Sequence, residues 1–340
     1  MRFMVISMFV LMLSACDNGP GPRTETTFTG STMGTTFNIK VINLTDSLTD
    51  EQVKSQINAI LKDVNDKMSL WVKNSEIMKF NRSSSTDWQS VSKDLYFVTE
   101  AAQTISQQSN GYFDVTLEPL IKLWGFSNKD TNREPPEPEQ IQAALNKIGY
   151  KKINLHAAPP AFRKGAGDLT INLSAIAKGF GIDQLSNYLE SQKIENYMVE
   201  IGGDLRVRGT NATGKPWRVA IEKPDINGRA IHKIITVENA GMATSGDYRN
   251  YFEKEGKRFS HIIDPRTGYP VTHKLASVSV LSESAMIADG WATALLVMGE
   301  KEGVSLAENL GIAAYFLIRE EDGFVEKQTS HFANFKSHAK

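Results

Sequence analysis

Between residues 35 and 42 apolar and polar side chains alternate, with Phe37, Ile39 and Val41 on one side. A period of two predicts a half-buried strand. The period then lengthens. Thr49 and Gln52 stand three apart, a capping box that opens a helix. Val53, Ile57, Ile60, Leu61, Val64 and Met68 follow at steps of three and four and make one apolar face. Ser92 opens a second helix with Leu95, Val98, Ala102 and Ile105 turned inward. A third, near 138–148, is expected to close at Gly149, a residue suited to a helix C-terminus. Residues 129–139 hold three prolines and many charges, which predicts an exposed loop.

After residue 150 short β-like runs appear near 169–173, 196–201, 217–222, 233–238, 249–253, 276–281 and 312–318. Helical stretches interrupt them near 175–192 and 285–298. So many strands with few helices between them predict an α+β fold, largely antiparallel sheets with packed helices. No Gly-x-Gly-x-x-Gly opens a helix after a strand, which disfavours a Rossmann nucleotide site.

Composition adds limits. The 340 residues are 41% apolar and 23% charged, an ordinary globular balance. Basic and acidic residues number 38 and 39 and form no basic block, so a nucleic-acid role is disfavoured. The single cysteine, Cys16, excludes an internal disulfide framework and any zinc site built on cysteine pairs. Before it, Arg2 precedes an apolar run too short to span a bilayer. Leu13-Ser14-Ala15-Cys16 resembles a bacterial lipobox, in which the cysteine thiol carries a diacylglycerol. Residues 1–16 thus read as a lipoprotein signal peptide, 17–28 as a polar Gly/Pro tether and 29–340 as the folded domain. Asp17 directly after the cysteine suggests the inner membrane, with the domain facing the periplasm.

Several clusters are too polar or too glycine-rich to read only as scaffold. Gly30 to Thr36 suits a tight approach to a ligand, or a plain loop before a strand. Tyr112-Phe113-Asp114, with Trp124 and Phe126 nearby, offers aromatics that stack on planar rings or fill a core. In Asn172-Leu173-Ser174-Ala175-Ile176-Ala177-Lys178-Gly179 a strand runs into a helix start, a natural phosphate seat with Lys178 beside it. The bland version is a helix start with a surface lysine. Glu200 to Asp204 and Ala243 to Tyr248 read as two small-residue turns. In His261-Ile262-Ile263-Asp264-Pro265-Arg266-Thr267-Gly268 a tight turn follows a histidine able to take a proton near neutrality. Asp289 and Thr293 stand four apart within the apolar run 285–298, on one helical face. Such oxygen donors suit Mg²⁺; a helix-capping or salt-bridged Asp reads the same way.

In this order the clusters resemble the ApbE family, the FAD:protein FMN transferases. The resemblance spans Gly30 to about Phe335 and rests on Thr32 to Thr35, Gly111 to Asp114, Asn172 to Gly179, Gly202-Gly203-Asp204, Thr244 to Tyr248, His261 to Gly268 and Asp289 to Thr293. It implies a flavin held in a cleft between two lobes of one domain, with FAD as substrate and Mg²⁺ as cofactor. FMN is then joined by a phosphoester to a Thr or Ser of a partner, and AMP is released. The implied flavin contacts are Met33, Trp71, Tyr112, Phe113, Asp114, Asn172, Lys178 and the backbone of Ile263. The implied metal ligands are the Ala175 carbonyl, Asp289 and Thr293. His261 matches the family's candidate base, with Asp264 in reserve. Many relatives carry Asp at the position of Asn172, and some carry Asp at that of Ala292, where water is expected here instead. The resemblance points to flavin-carrying subunits of membrane redox complexes, such as the sodium-pumping NADH:quinone oxidoreductase, as acceptors. Their pattern, Asp-x-x-(Ser/Thr)-Gly-Ala-(Ser/Thr), does not occur in this chain. An Mg²⁺-dependent FAD pyrophosphatase and a non-catalytic flavin-binding lipoprotein are the competing readings.

The lipobox reading carries a test. Cys16→Ser removes the only thiol and is expected to leave an uncleaved or soluble product. Mass spectrometry that finds the wild-type mature protein without acyl chains sinks the lipoprotein reading.

Overall fold

The alternation at 35–42 does form a strand, β2 (Thr35–Ile42). It pairs along its length with one that the polarity pattern does not announce, β1 (Glu25–Thr32). The computed structural model describes residues 23–45, 47–127, 133–224 and 230–335. The signal peptide, Cys16 and Asp17 therefore lie outside the described residues, as does 129–132 of the proline-rich loop. Strand β1 corrects the tether assigned to 17–28, because its last four residues are already paired in a sheet. Polar side chains such as Thr26, Thr27 and Thr29 hid it: an edge strand needs an apolar side chain only where it meets the core, here at Phe28.

Helices α1 (Asp50–Met68) and α2 (Glu76–Arg82), strand β3 (Gln89–Ser90) and helix α3 (Lys93–Gln108) follow. Next come α4 (Glu118–Leu123), α5 (Pro138–Leu145) and the hairpin β4 (Ile153–Ala157) with β5 (Pro160–Lys164). Helix α6 (Ala177–Ser191) leads to β6 (Tyr197–Ile201), β7 (Asp204–Arg208), β8 (Trp217–Glu222), β9 (Ile231–Val237) and β10 (Ala240–Gly246). After β11 (Tyr251–Lys254), β12 (Lys257–Ser260) and β13 (Leu275–Ser282) come α7 (Ala285–Asn309), β14 (Ala313–Glu320), β15 (Gly323–Gln328) and α8 (Ser330–Ala333). The main sheet runs β1-β2-β6-β7-β10-β13-β14-β15, with every pairing antiparallel. Small sheets β3-β5-β4, β8-β9 and β11-β12 flank it. The α+β expectation holds. Among the described residues no helix is long and apolar enough to cross a membrane.

The predicted caps form. Gln52 N–H donates to Thr49 Oγ1 at 3.2 Å, and the Gln52 side chain accepts from Thr49 N–H at 2.9 Å. Ser92 accepts from Leu95 N–H at 3.2 Å. Other expectations fail for identifiable reasons. Helix α5 ends at Leu145, not at Gly149. Gly149 N–H donates to Thr116 Oγ1 (2.6 Å) and Tyr150 N–H to Asp114 (2.9 Å), which draws the chain away from the helix axis. The run 169–173 alternates buried and half-buried residues as a strand does but joins no sheet. Residues 243–246, read as a turn, lie in β10 at the centre of the main sheet. Small side chains suit that position because α7 packs directly on it.

Helix α7 is the spine of the fold. Its first segment ends at Gly299, whose φ of 83° breaks the helix where the apolar run predicts an end. Asp183 of α6 caps its start, accepting from Ala285 N–H and Met286 N–H at 3.0 Å each. There α6 and α7 meet backbone to backbone: a Cβ on Gly179 would stand 2.3 Å from the Ala285 carbonyl oxygen.

Helix propensity alone favours Ala over Gly by about 0.8–1.0 kcal/mol. Overpacking against a backbone that cannot yield costs about 1–3 kcal/mol or more. Gly179→Ala is therefore expected to destabilise, read as a fall in the thermal midpoint by calorimetry. A midpoint that stays or rises would show that the two helices can move apart freely.

Candidate functional site

Turns at one end of the main sheet place small and polar residues around a cavity of about 1010 Å³, at the top of the range for ligand sites. Strands β1 and β2 contribute Gly30, Ser31, Thr35 and Thr36, and the β6–β7 turn contributes Gly202 and Gly203. Both turn glycines have positive φ, 61° and 99°, a backbone that side chains disfavour. Tyr112, Phe113, Leu117, Ile121, Ile262, Ile263 and Pro265 form an apolar and aromatic wall. Asp204, Thr244, Ser245, Lys178, Asp289 and Thr293 form a polar one.

The polar wall is built at the contact between helices. Helix α6 starts at Ala177 with no side-chain cap of its own. Asp289 of α7 supplies it, accepting from Gly179 N–H at 3.1 Å. Lys178, one residue earlier, sits 3.3 Å from Asp289 and also donates to Asp204. Asp204 in turn accepts from Thr244 N–H at 3.0 Å. Both carboxylates are buried, 2% exposed for Asp204 and 3% for Asp289. Burial pushes the Asp289 carboxyl up to about 6, against the pull of Lys178 and the Gly179 N–H. Burial also pulls the Lys178 ammonium down, but Asp204 and Asp289 outweigh it and hold its pKa above the ordinary lysine value. Two acids thus share one base, a net charge of −1 in a buried place.

That surplus fits a cation. The donors around it are oxygens: Asp289, Asp204, the hydroxyls of Thr293 and Ser245, 3.0 Å apart, and the main chain at Ala175, which lines the cavity. Among the described residues no three His, Cys, Asp or Glu side chains gather as a metal site. The set therefore suits a hard cation that accepts hydroxyl and carbonyl oxygen.

The other predicted residues divide. Tyr112, Phe113, Asp114, Asn172, Lys178, Ile263, Ala175, Asp289, Thr293 and His261 all line the cavity. Tyr112 donates its hydroxyl to Glu302, and the Arg266 guanidinium lies 3.4 Å from its ring centre. The Asp114 carboxylate is committed to the local chain, accepting from Thr116 N–H (2.8 Å), Thr116 Oγ1 (2.6 Å) and Tyr150 N–H (2.9 Å). Asn172 donates to buried Glu118 at 2.7 Å, so a carboxylate lies directly behind the amide.

Four predicted positions fall elsewhere. Trp71 lies in the turn between α1 and α2, 81% exposed and off the cavity lining. Met33 sits at the β1–β2 turn but packs toward Gly181 of α6, not along the lining. Asp264 is taken up by its own turn: Arg266 holds it through the backbone N–H (2.9 Å), Nε (3.1 Å) and Nη2 (2.9 Å), and Pro265 lines the cavity instead. Ala292 is fully buried in the core and off the cavity lining.

His261 is better placed. Its Nδ1 is 2.9 Å from the Asn250 carbonyl oxygen, which can only accept. Nδ1 therefore carries the proton, and Nε2 of the neutral ring keeps its lone pair. Burial pulls its pKa below 6.5; the Asn250 bond and Asp247 oppose this, and Arg133 adds to it. Sequence reading missed Asp204 and Ser245 as partners in the polar wall, because both stood in runs read as turns. The signal was there in Asp204, a charged residue directly after two glycines.

The ApbE family model matches residues 33–316. A FAD:protein FMN transferase of Vibrio cholerae serotype O1 is 40% identical over 336 residues, 99% of each chain. One from Haemophilus influenzae is 42% identical over 327 residues, 95% of this chain and 94% of that one. Among solved structures, the flavin transferase ApbE from Vibrio cholerae superposes with a TM-score of 0.86 at 40% identity, covering 93% of this chain and 100% of that one. The apo form of the Pseudomonas stutzeri flavinyl transferase ApbE gives 0.83 at 35% identity, covering 92% and 96%. Likeness of this extent, in sequence and in fold, means that the chain belongs to the ApbE family.

Proposed function

We propose that the protein is an Mg²⁺-dependent FAD:protein FMN transferase. It moves FMN from FAD to a Thr or Ser hydroxyl of a target flavoprotein, forms a phosphoester and releases AMP. Flavin transfer is named for the relatives. The observation that carries the reading here is the buried Asp204–Lys178–Asp289 cluster, facing an aromatic wall across one large cavity. A pyrophosphate is met through a cation, which the cluster's surplus negative charge would hold, and a planar ring needs a flat apolar surface.

Asp289, Thr293 and the Ala175 carbonyl would hold Mg²⁺, which supplies charge neutralisation as the bond to AMP breaks. Lys178 adds a positive charge that needs no proton transfer. The acceptor oxygen bonds to the phosphorus of the FMN half, and the bridging P–O bond to AMP breaks. His261, neutral and with Nε2 open, takes the proton of the acceptor hydroxyl. The acceptors are flavin-carrying subunits of membrane redox complexes, and the enzyme works from a lipid anchor on the periplasmic side of the inner membrane. Incubation with FAD, Mg²⁺ and a carrier protein tests this. Protein-bound flavin fluorescence supports transfer, free FMN assigns hydrolysis, and unchanged FAD assigns binding alone.

Asp289→Ala removes the charged ligand and the cap of α6. Transfer is expected to stop or to need far more Mg²⁺, while flavin still binds by its ring. Normal turnover at low Mg²⁺ would make Asp289 purely structural.

His261→Ala is expected to lower turnover by about 10²–10⁴, the usual contribution of general-base help, with FAD affinity little changed. His261→Asn can still bond Asn250 but cannot act as a base, so it is expected to lose as much. The protonated ring cannot accept, and burial lowers its pKa. The wild-type rate is therefore expected to stay flat above pH 6.5 and to fall only below it. A near-normal rate for His261→Asn would move the proton to solvent.

A further inference from the structure

The run 169–173 carries the floor of the cavity yet joins no sheet. Leu169, Ile171 and Leu173 are fully buried, while Asn172, Ser174 and Ala175 line the cavity. A buried backbone without a ladder must find other partners, because an unsatisfied buried group keeps the full cost of leaving water. The central residue finds both in one side chain. Asn81 Oδ1 accepts from Ile171 N–H at 2.8 Å, and Asn81 Nδ2 donates to the Ile171 carbonyl at 2.8 Å. The carboxamide thus takes the place of a neighbouring strand at a single residue.

Asn81 is itself held from behind. It lies in the last turn of α2, whose Ile77 and Phe80 are buried. Lys164, 2% exposed, reaches under that turn and donates to the carbonyls of Ser83 (2.6 Å) and Asn81 (3.3 Å), with its ammonium 4.8 Å from the Phe80 ring centre. Its third hydrogen bond, to the Gly167 carbonyl at 3.5 Å, also goes to the main chain. Asn172 N–H, one residue past Ile171, donates to the Val115 carbonyl at 2.6 Å, which ties the run to the aromatic wall.

We propose that Asn81 is a positioning residue of the flavin site: its carboxamide sets the height of the Asn172–Ala175 run against Asp289. It touches neither substrate nor cation and acts through Ile171. The proposal rests on the transferase reading for its rate measurement and not for its binding measurement.

The test compares Asn81→Ala with Ile57→Ala, a core substitution in α1 away from the cavity, after thermal midpoints show comparable losses. Both are assayed well below those midpoints. Asn81→Ala is expected to weaken FAD binding about tenfold, read by flavin fluorescence, and to lower turnover at least tenfold with a higher Mg²⁺ requirement. Ile57→Ala is expected to change neither. Should Asn81→Ala not fold, Asn81→Asp, which keeps the acceptor for Ile171 N–H and loses the donor, carries the same comparison. Equal FAD affinity in the Asn81 and Ile57 variants overturns the proposal. A wild type that binds FAD but transfers no FMN sinks the transferase reading instead, and the affinity comparison still decides the role of Asn81.

Discussion

Two buried carboxylates around one ammonium are the constraint on which the rest depends. A carboxylate buried alone costs several kcal/mol, so Asp204 and Asp289 need Lys178, and all three need a frame that brings β7, α6 and α7 to one point. The frame is bought with glycine. Gly179 lets α6 and α7 touch at their backbones, and Gly241 lets β10 approach the start of α7, where a Cβ would stand 2.6 Å from Ala285 N. Asp183 then caps α7 while Asp289 caps α6, so each helix start is satisfied by the other helix.

This reciprocal capping explains how the site can be both polar and rigid. The α6 N-terminus, with its positive dipole end, is aimed at the cavity, and its own sequence offers no cap there. The acid that fills the gap belongs to the same cluster that leaves one negative charge unbalanced. One residue therefore both caps the helix and adds to that surplus charge. The aromatic wall is fixed by separate means: Tyr112 through Glu302 and Arg266, Asn172 through Glu118, and the main chain at Ile171 through Asn81.

Local pattern carried much of the fold. The capping box at Thr49, the apolar faces of α1 and α3, the strands β2, β6, β8, β13 and β14, and the stop of the first α7 segment before Gly299 were legible because each depends on side chains a few residues apart. So was most of the cavity lining, since catalytic types clustered in turns stand out against a core. What local pattern left undecided was partnership. Strand β1 is polar because it is an edge, and β10 is small because a helix lies on it; both looked like loops. The run 169–173 has the polarity of a strand but at Ile171 takes its hydrogen bonds from a side chain. Asp264 and His261 share one turn, and only the fold commits the first to Arg266 and leaves the second open to the cavity. Asp204 and Asp289 lie 85 positions apart, and whether such acids meet a shared lysine or solvent is set by packing over that distance. The sequence alone determined which residues could do chemistry; the tertiary structure decided which of them face one another, because burial and charge pairing act through space and not along the chain.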